Sequence, residues 1–173
     1  MSEPTATEAA VLAAGVSSDD PTGMTSCLLM WLDKDAYAMP LDAVVEIHQL
    51  AAVRPAPEGR GGLVGYLDLR GAVVPTVDLR TALGAPGRAW DPSMHMVVAR
   101  TGMGRLALVV DRVEGIVDCE PDPAGASASG RTIAAIAKVP EVGLVPVLDP
   151  GVLLDGAGVD ADTTPATEGT ESR

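Results

Sequence analysis

Phenylalanine is absent from this 173-residue chain, and Trp31, Tyr37, Tyr66 and Trp90 are its only aromatic residues. The apolar share of 47% still allows a core, but one packed from Val, Leu, Ile and Ala. Basic residues are also scarce: 12 Lys and Arg stand against 24 Asp and Glu, a net charge of −12. Single-strand nucleic-acid binders need bases and stacking rings together, and phosphate surfaces are held by Lys and Arg. The composition therefore argues against a nucleic-acid-binding barrel and against anionic lipid. Two histidines, His48 and His95, and two cysteines, Cys27 and Cys119, complete the short supply. None has a partner at metal-ligand or C-x-x-C spacing, so neither a metal, a cofactor nor a disulfide framework is expected. The cysteines read as buried or edge thiols of a reducing compartment. No apolar run approaches the roughly 18 residues of a membrane span. The short run Ala9–Val16 follows Glu3 and Glu8 rather than a basic flank, so it does not read as an export signal. A cytoplasmic location is expected.

Much of the acidity lies at the ends. Residues 24–157 hold 16 acids and 11 bases, a milder balance than the whole. Residues 1–23 and 158–173, rich in Ala, Thr, Ser, Asp and Glu, read as disordered tails. Between them, apolar segments of strand length alternate with turn signals. They are Leu28–Trp31, Tyr37–Leu41, Leu63–Leu67, Val73–Val77, Met94–Ala99, Leu106–Val110, Ile116–Val117, Ile133–Ile136 and Leu144–Leu148. Turn clusters include Asp33-Lys34-Asp35, Gly59–Gly62, Gly84–Gly87, Thr101–Gly104 and Pro121–Gly130. Many short strands without a long helical period indicate an all-β barrel or sandwich. Short helical turns are expected near Asp42–Glu46, Leu79–Leu83 and Pro150–Leu154.

The chain also repeats itself. Ala38-Met39-Pro40-Leu41-Asp42-Ala43-Val44-Val45-Glu46-Ile47 aligns with Ala107-Leu108-Val109-Val110-Asp111-Arg112-Val113-Glu114-Gly115-Ile116, 69 residues on. Val74-Pro75-Thr76-Val77-Asp78 aligns with Val145-Pro146-Val147-Leu148-Asp149, 71 residues on. Asp42 and Asp111 are placed to bond backbone N–H groups and redirect the chain. Pro75 and Pro146 each remove a ladder donor, so each belongs at a strand edge or start. The repeat implies two lobes of about 65–70 residues, interleaved but lying roughly in the first and second halves of residues 24–157. Each would be marginal alone, so they should share an apolar interface, with a groove between them as a natural binding surface.

Catalytic motifs fail at nameable positions. In Gly125–Gly130 a nucleophile elbow would need Gly where Ser129 stands. In Gly59–Gly65, Val64 takes the last glycine position of G-x-G-x-x-G. Asp68 and Asp78 could serve an all-β hydrolase as a carboxylate pair. Each sits in an Asp-Leu-Arg triplet, however, and a local or cross-strand ion pair is the simpler reading.

The run Leu63-Val64-Gly65-Tyr66-Leu67-Asp68-Leu69-Arg70-Gly71-Ala72-Val73-Val74-Pro75-Thr76-Val77-Asp78-Leu79-Arg80 resembles the CheW-like family of chemotaxis coupling proteins. Tyr37–Leu41 with Val44–Ile47, then Leu108–Val113 and Leu144–Leu148, extend the likeness over residues 24–157. The resemblance implies two five-stranded β-barrels around a shared core, with short helical turns. It implies a non-enzymatic adaptor linking the cytoplasmic tips of methyl-accepting chemoreceptors to the regulatory domain of a CheA-type histidine kinase. Other CheW-like domains are further partners, and recruitment to membrane-associated receptor arrays is implied without membrane insertion. A regulatory module of a non-motility chemosensory pathway would share the pattern. Carried over by position, Val44, Gly65, Gly71 and Val113 fall near the receptor groove, and Glu46 and Arg70 form a supporting charged pair. The second copy departs at Asp149-Pro150-Gly151, where a different turn is expected.

Overall fold

The computed structural model describes residues 23–57, 60–128 and 132–158. The expected tails apart from Gly23 and Gly158, the Ala9–Val16 run and the end of the Gly125–Gly130 loop lie outside those residues. The chain runs β1 (Thr25–Leu32), β2 (Asp35–Pro40), a 3₁₀ turn at Leu41–Ala43, β3 (Val44–Gln49), β4 (Arg54–Pro55), β5 (Leu63–Leu69) and β6 (Ala72–Asp78). Helix α1 (Leu79–Ala82) follows, then β7 (His95–Thr101), β8 (Gly104–Val110), β9 (Arg112–Asp122), a 3₁₀ segment Pro123–Ala128, β10 (Ile133–Val139), β11 (Gly143–Leu148) and α2 (Pro150–Gly156). No helix among the described residues is long and apolar enough to cross a membrane.

The strands form two lobes. One is a closed barrel in the order β1-β2-β11-β10-β9; the other is a six-stranded sheet in the order β3-β7-β8-β6-β5-β4. The sixth strand is the two-residue β4, which pairs with β5 at Arg54↔Tyr66 and Pro55↔Gly65. The expected helical turn at Asp42–Glu46 is corrected. Only Leu41–Ala43 turns, and the β-branched residues Val44, Val45 and Ile47 open strand β3. Strand β9 is also far longer than Ile116–Val117, because its alternate exposed and partly buried residues carry it to Asp122.

The two repeat copies are not the two lobes. Each lobe holds a parallel contact between one copy and the other: Val147 of β11 beside Ala38 of β2, and Thr76 of β6 beside Ala107 of β8. The sequence offsets of 69 and 71 carry one contact onto the other, so the duplication is preserved residue by residue in the register. Pro75 and Pro146 each lie one residue before these parallel ladders begin. The missing donor therefore falls where that side of the strand has no partner.

Burial explains the exchange. Among the described residues the apolar side chains form three clusters. Cys27, Leu29, Ala38, Ala137, Val145 and Val147 fill the barrel. Leu67, Leu69, Val74, Met96, Val98 and Val109 line the inner face of the six-stranded sheet. Leu28, Met30, Met39, Val77, Val97, Leu106, Leu108, Leu148 and Leu153 lie between the lobes. Successive side chains of a strand point to opposite faces. Strand β1 therefore sends Cys27 and Leu29 into the barrel and Leu28 and Met30 into the junction. A strand buried on both faces reads as an unbroken apolar run, as Cys27–Trp31 does.

Candidate functional site

An ion network spans the junction of the lobes. Asp78 ends β6 and caps α1, its Oδ1 accepting the Arg80 N–H at 3.0 Å; its Oδ2 accepts the Trp90 indole N–H at 3.3 Å. The cap directs the Arg80 side chain away from its own triplet. Arg80 donates to Asp33 Oδ2 at 2.7 Å and to Asp111 Oδ2. Asp111 Oδ2 also accepts the Asp33 backbone N–H at 2.8 Å, and Arg88 lies 3.3 Å from Asp33 and 3.4 Å from Asp111. The Arg80 side chain is 8% exposed and that of Asp111 11%. The hydrogen bond from Arg80 holds the half-exposed Asp33 carboxyl below its ordinary value, and Asp33 in turn raises Arg80. The expected local or cross-strand ion pair of Asp78 is thus corrected, since its partners among the described residues are a backbone N–H and an indole. Arg80 finds its acids 31 and 47 residues away, because the helix cap consumes Asp78.

The carboxylate-dyad alternative fails on geometry. Asp68 pairs opposite Val73 in the β5–β6 hairpin, and Asp78 lies five residues further along β6. At about 3.3 Å per residue the two are roughly 17 Å apart. Asp68 Oδ1 instead accepts the Gly71 N–H at 2.9 Å.

The charged pair carried over from the family pattern does meet. Arg70 and Gly71 form the two-residue hairpin turn with φ of 53° and 84°, the double left-handed geometry that glycine favours. The turn presents Arg70, 79% exposed, with its guanidinium 3.4 Å from Glu46 Oε2. His48 Nε2 lies 3.0 Å from the same oxygen. Glu46 reaches this position through a register shift in β3 between Val44 and Glu46. Val44 and Ile47 both pack on the inter-lobe cluster, although an unbroken strand would put residues three apart on opposite faces. The β-bulge restores Ile47 to the junction and places Glu46 and His48, both partly buried, on the other face. No sequence signal marks this bulge, since Val44 and Val45 are interchangeable as words.

The other candidates serve packing and backbone approach. Val44 is 5% exposed and packs in the inter-lobe core, so its side chain acts by packing. Val113 is partly buried against the same cluster. Gly65 is a close-approach position: a Cβ there would come within 1.9 Å of the Arg54 carbonyl oxygen, so β4 pairs only against glycine. Asp149 also departs from expectation. It caps α2 through Gly151 and Val152, with Pro150 in the first turn, which parallels the cap of α1 by Asp78.

Two apolar side chains stand in solvent at equivalent positions of the repeat. Val73 of β6 is 49% exposed and Leu144 of β11 is 76% exposed; they are separated by the same offset of 71. Among the described residues no group of three His, Cys, Asp or Glu could hold a metal ion. The arrangement is one of surfaces: a charged turn beside β3, and matched apolar positions on the two lobes.

Comparison with known proteins gives a consistent family. Residues 26–158 match the family model described as CheW-like domain. The chain is 30% identical over 88 residues to the chemotaxis protein CheW of Thermotoga maritima, covering 50% of this chain and 56% of that protein. It is 31% identical over 105 residues to the chemotaxis protein CheW of Rhizobium meliloti, covering 57% of this chain and 66% of that one. The matched stretches thus span less than two thirds of these curated relatives. The fold is that of the scaffolding protein TtCheW from Thermoanaerobacter tengcongensis, with a TM-score of 0.68 at 19% identity, over 78% of this chain and 95% of that one.

Proposed function

The chain belongs to the CheW-like domain family, and from that premise we propose that it is a non-enzymatic adaptor coupling chemoreceptors to a CheA-type histidine kinase. The observation that carries this reading is that the family match takes in both lobes, residues 26–158. The chemistry agrees with it, since Asp68 and Asp78 each serve a turn or a cap rather than a reacting group. Binding is then the whole mechanism. Receptor conformation biases kinase activity only through a difference in affinity between two states. The receptor tip meets the region around Glu46, Arg70 and Gly71, and the adaptor works in the cytoplasm at receptor arrays.

Co-elution of the full chain with a cognate kinase regulatory domain and a receptor tip fragment tests the coupling role. A ternary complex is expected; no association with any cognate pair would overturn it. Arg70→Ala separates contact from structure. An exposed ion pair contributes at most about 1 kcal/mol, so the melting temperature should move by no more than a few degrees. Receptor-tip affinity should fall by about tenfold. An unchanged affinity would remove Arg70 from the contact.

Val73 and Leu144 suit a partner of the same fold, because a duplicated module presents quasi-equivalent surfaces. Burying Leu144 would contribute about 1.5–3 kcal/mol, so Leu144→Asp should weaken binding to the kinase regulatory domain at least about tenfold. Calorimetric titration measures this, with circular dichroism reporting an intact fold. Equal affinity in the variant would place the contact elsewhere.

A further inference from the structure

The two cysteines of this chain meet inside the closed barrel. Cys27, third residue of β1, is 1% exposed, and Cys119 of β9 is fully buried. Their sulfurs lie 2.9 Å apart, and Cys119 Sγ is also 3.4 Å from the Thr25 carbonyl oxygen. The strands are antiparallel neighbours in which Thr25 opposes Cys119 and Cys27 opposes Val117, so the thiols approach along a diagonal. Around them are Leu29, Ala38, Ala137, Val139, Val145 and Val147, all apolar. A buried cysteine can act as a plain small hydrophobe. An Ala- and Val-filled barrel gives no packing reason for two sulfurs to face each other rather than methyl groups.

We propose that Cys27 and Cys119 are a reversible dithiol–disulfide pair that locks the β1–β9 seam under oxidation. The oxidant class is a hydroperoxide, with hydrogen peroxide as the simplest member. One sulfur, as thiolate, attacks a peroxide oxygen. The O–O bond breaks, a sulfenic acid forms, and hydroxide leaves and takes a proton to become water. The second sulfur then attacks the sulfenic sulfur. The S–S bond forms as the S–O bond breaks, and a second water leaves with the remaining thiol proton. The two thiols lose two electrons and the peroxide gains them. A small dithiol reverses the bond by exchange. The sulfurs need to close by only about 0.9 Å to reach the roughly 2.04 Å of a disulfide.

Burial and the neighbouring thiol push Cys27 up from its ordinary value, which keeps it protonated in the closed barrel. Oxidation therefore proceeds through opening of the first residues of β1, and is faster where that edge frays. The bond would close a loop across 92 residues that contains the whole six-stranded lobe. Long loops gain most from such closure, so oxidation stabilises both lobes together.

The test uses the full chain treated with hydrogen peroxide in buffer and in sub-denaturing urea. Peptide mapping without reductant should find a Cys27–Cys119 cross-link and an intact mass lower by two hydrogens. The oxidised form should melt at least about 5 °C above the reduced one, and dithiothreitol should reverse both changes. Oxidation faster in urea than in buffer is expected from the buried position. Cys27→Ala and Cys119→Ala should each lose the shift, while the mapping on the natural chain does not depend on either variant folding. Persistence of both free thiols in urea, oxidation to sulfinic acid alone, cross-links only between molecules, or an oxidised form less stable than the reduced one would each overturn the proposal.

Discussion

Replacing Arg80 with Ala is expected to lower stability by about 3 kcal/mol, as removal of one partner from a buried ion pair does. The loss follows from what stays behind. Asp111 is 11% exposed, and its Oδ1 is buried without a hydrogen-bond partner among the described residues. Without Arg80, among the described residues its charge keeps only Arg88 at 3.4 Å, which is half exposed, and the Asp33 N–H at 2.8 Å. These two contacts place the figure at the low end of the range. The pH dependence should change as well. Asp33 is held below its ordinary value of 3.8 chiefly by the hydrogen bond from Arg80. A depressed carboxylate contributes stability above its unfolded value and loses it as pH falls through the folded one. In the variant that contribution vanishes, so acid unfolding should begin at higher pH. Urea titrations at neutral pH and between pH 5 and pH 2 measure both effects. A loss below about 1 kcal/mol with an unmoved acid limb would mean that the network is electrostatically idle.

Leu28→Ala is expected to cost about 3 kcal/mol, within the range for buried leucine truncation. Leu28 is 1% exposed and packs in the inter-lobe cluster, whereas Leu29, equally buried, packs inside the barrel. The two truncations should differ in kind. Leu28→Ala opens a cavity that both lobes line, so hydrogen exchange should accelerate in β1 and in β7 and β8 together. Leu29→Ala should concentrate its effect in the barrel strands. Exchange confined to the barrel in both variants would show that the lobes are stabilised separately, against the shared-core reading.

Much of the fold was legible because its signals are local. Alternating turn clusters and strand-length apolar segments indicated an all-β chain, and the Val-Pro-x-x-Asp words at an offset of 71 marked the duplication. The same words proved to be strand ends with helix-capping aspartates, Asp78 and Asp149. The Glu46–Arg70 pair was legible only through family resemblance. Its geometry depends on a bulge in β3 that no residue type announces. The ion partners of Arg80 were not legible, because they come from the turn after β1 and the end of β8 and lie neither in its own triplet nor on a paired strand. Val44 and Gly65 were singled out only by family resemblance, as groove positions. That one is core and the other a close backbone approach depends on neighbours distant in sequence.

The sequence by itself determined the strand class, the two copies and the lack of any catalytic or metal-binding word, since each rests on residue type and short spacing. Only the tertiary structure decided which strands share a lobe. Strands buried on both faces need partners on both sides, and those partners come from the other copy of the repeat. The same exchange brings Asp33, Arg80 and Asp111 together at the junction, and Cys27 against Cys119 across 92 residues. Contacts of that range carry no local signature, because they are chosen by which apolar faces must be covered together.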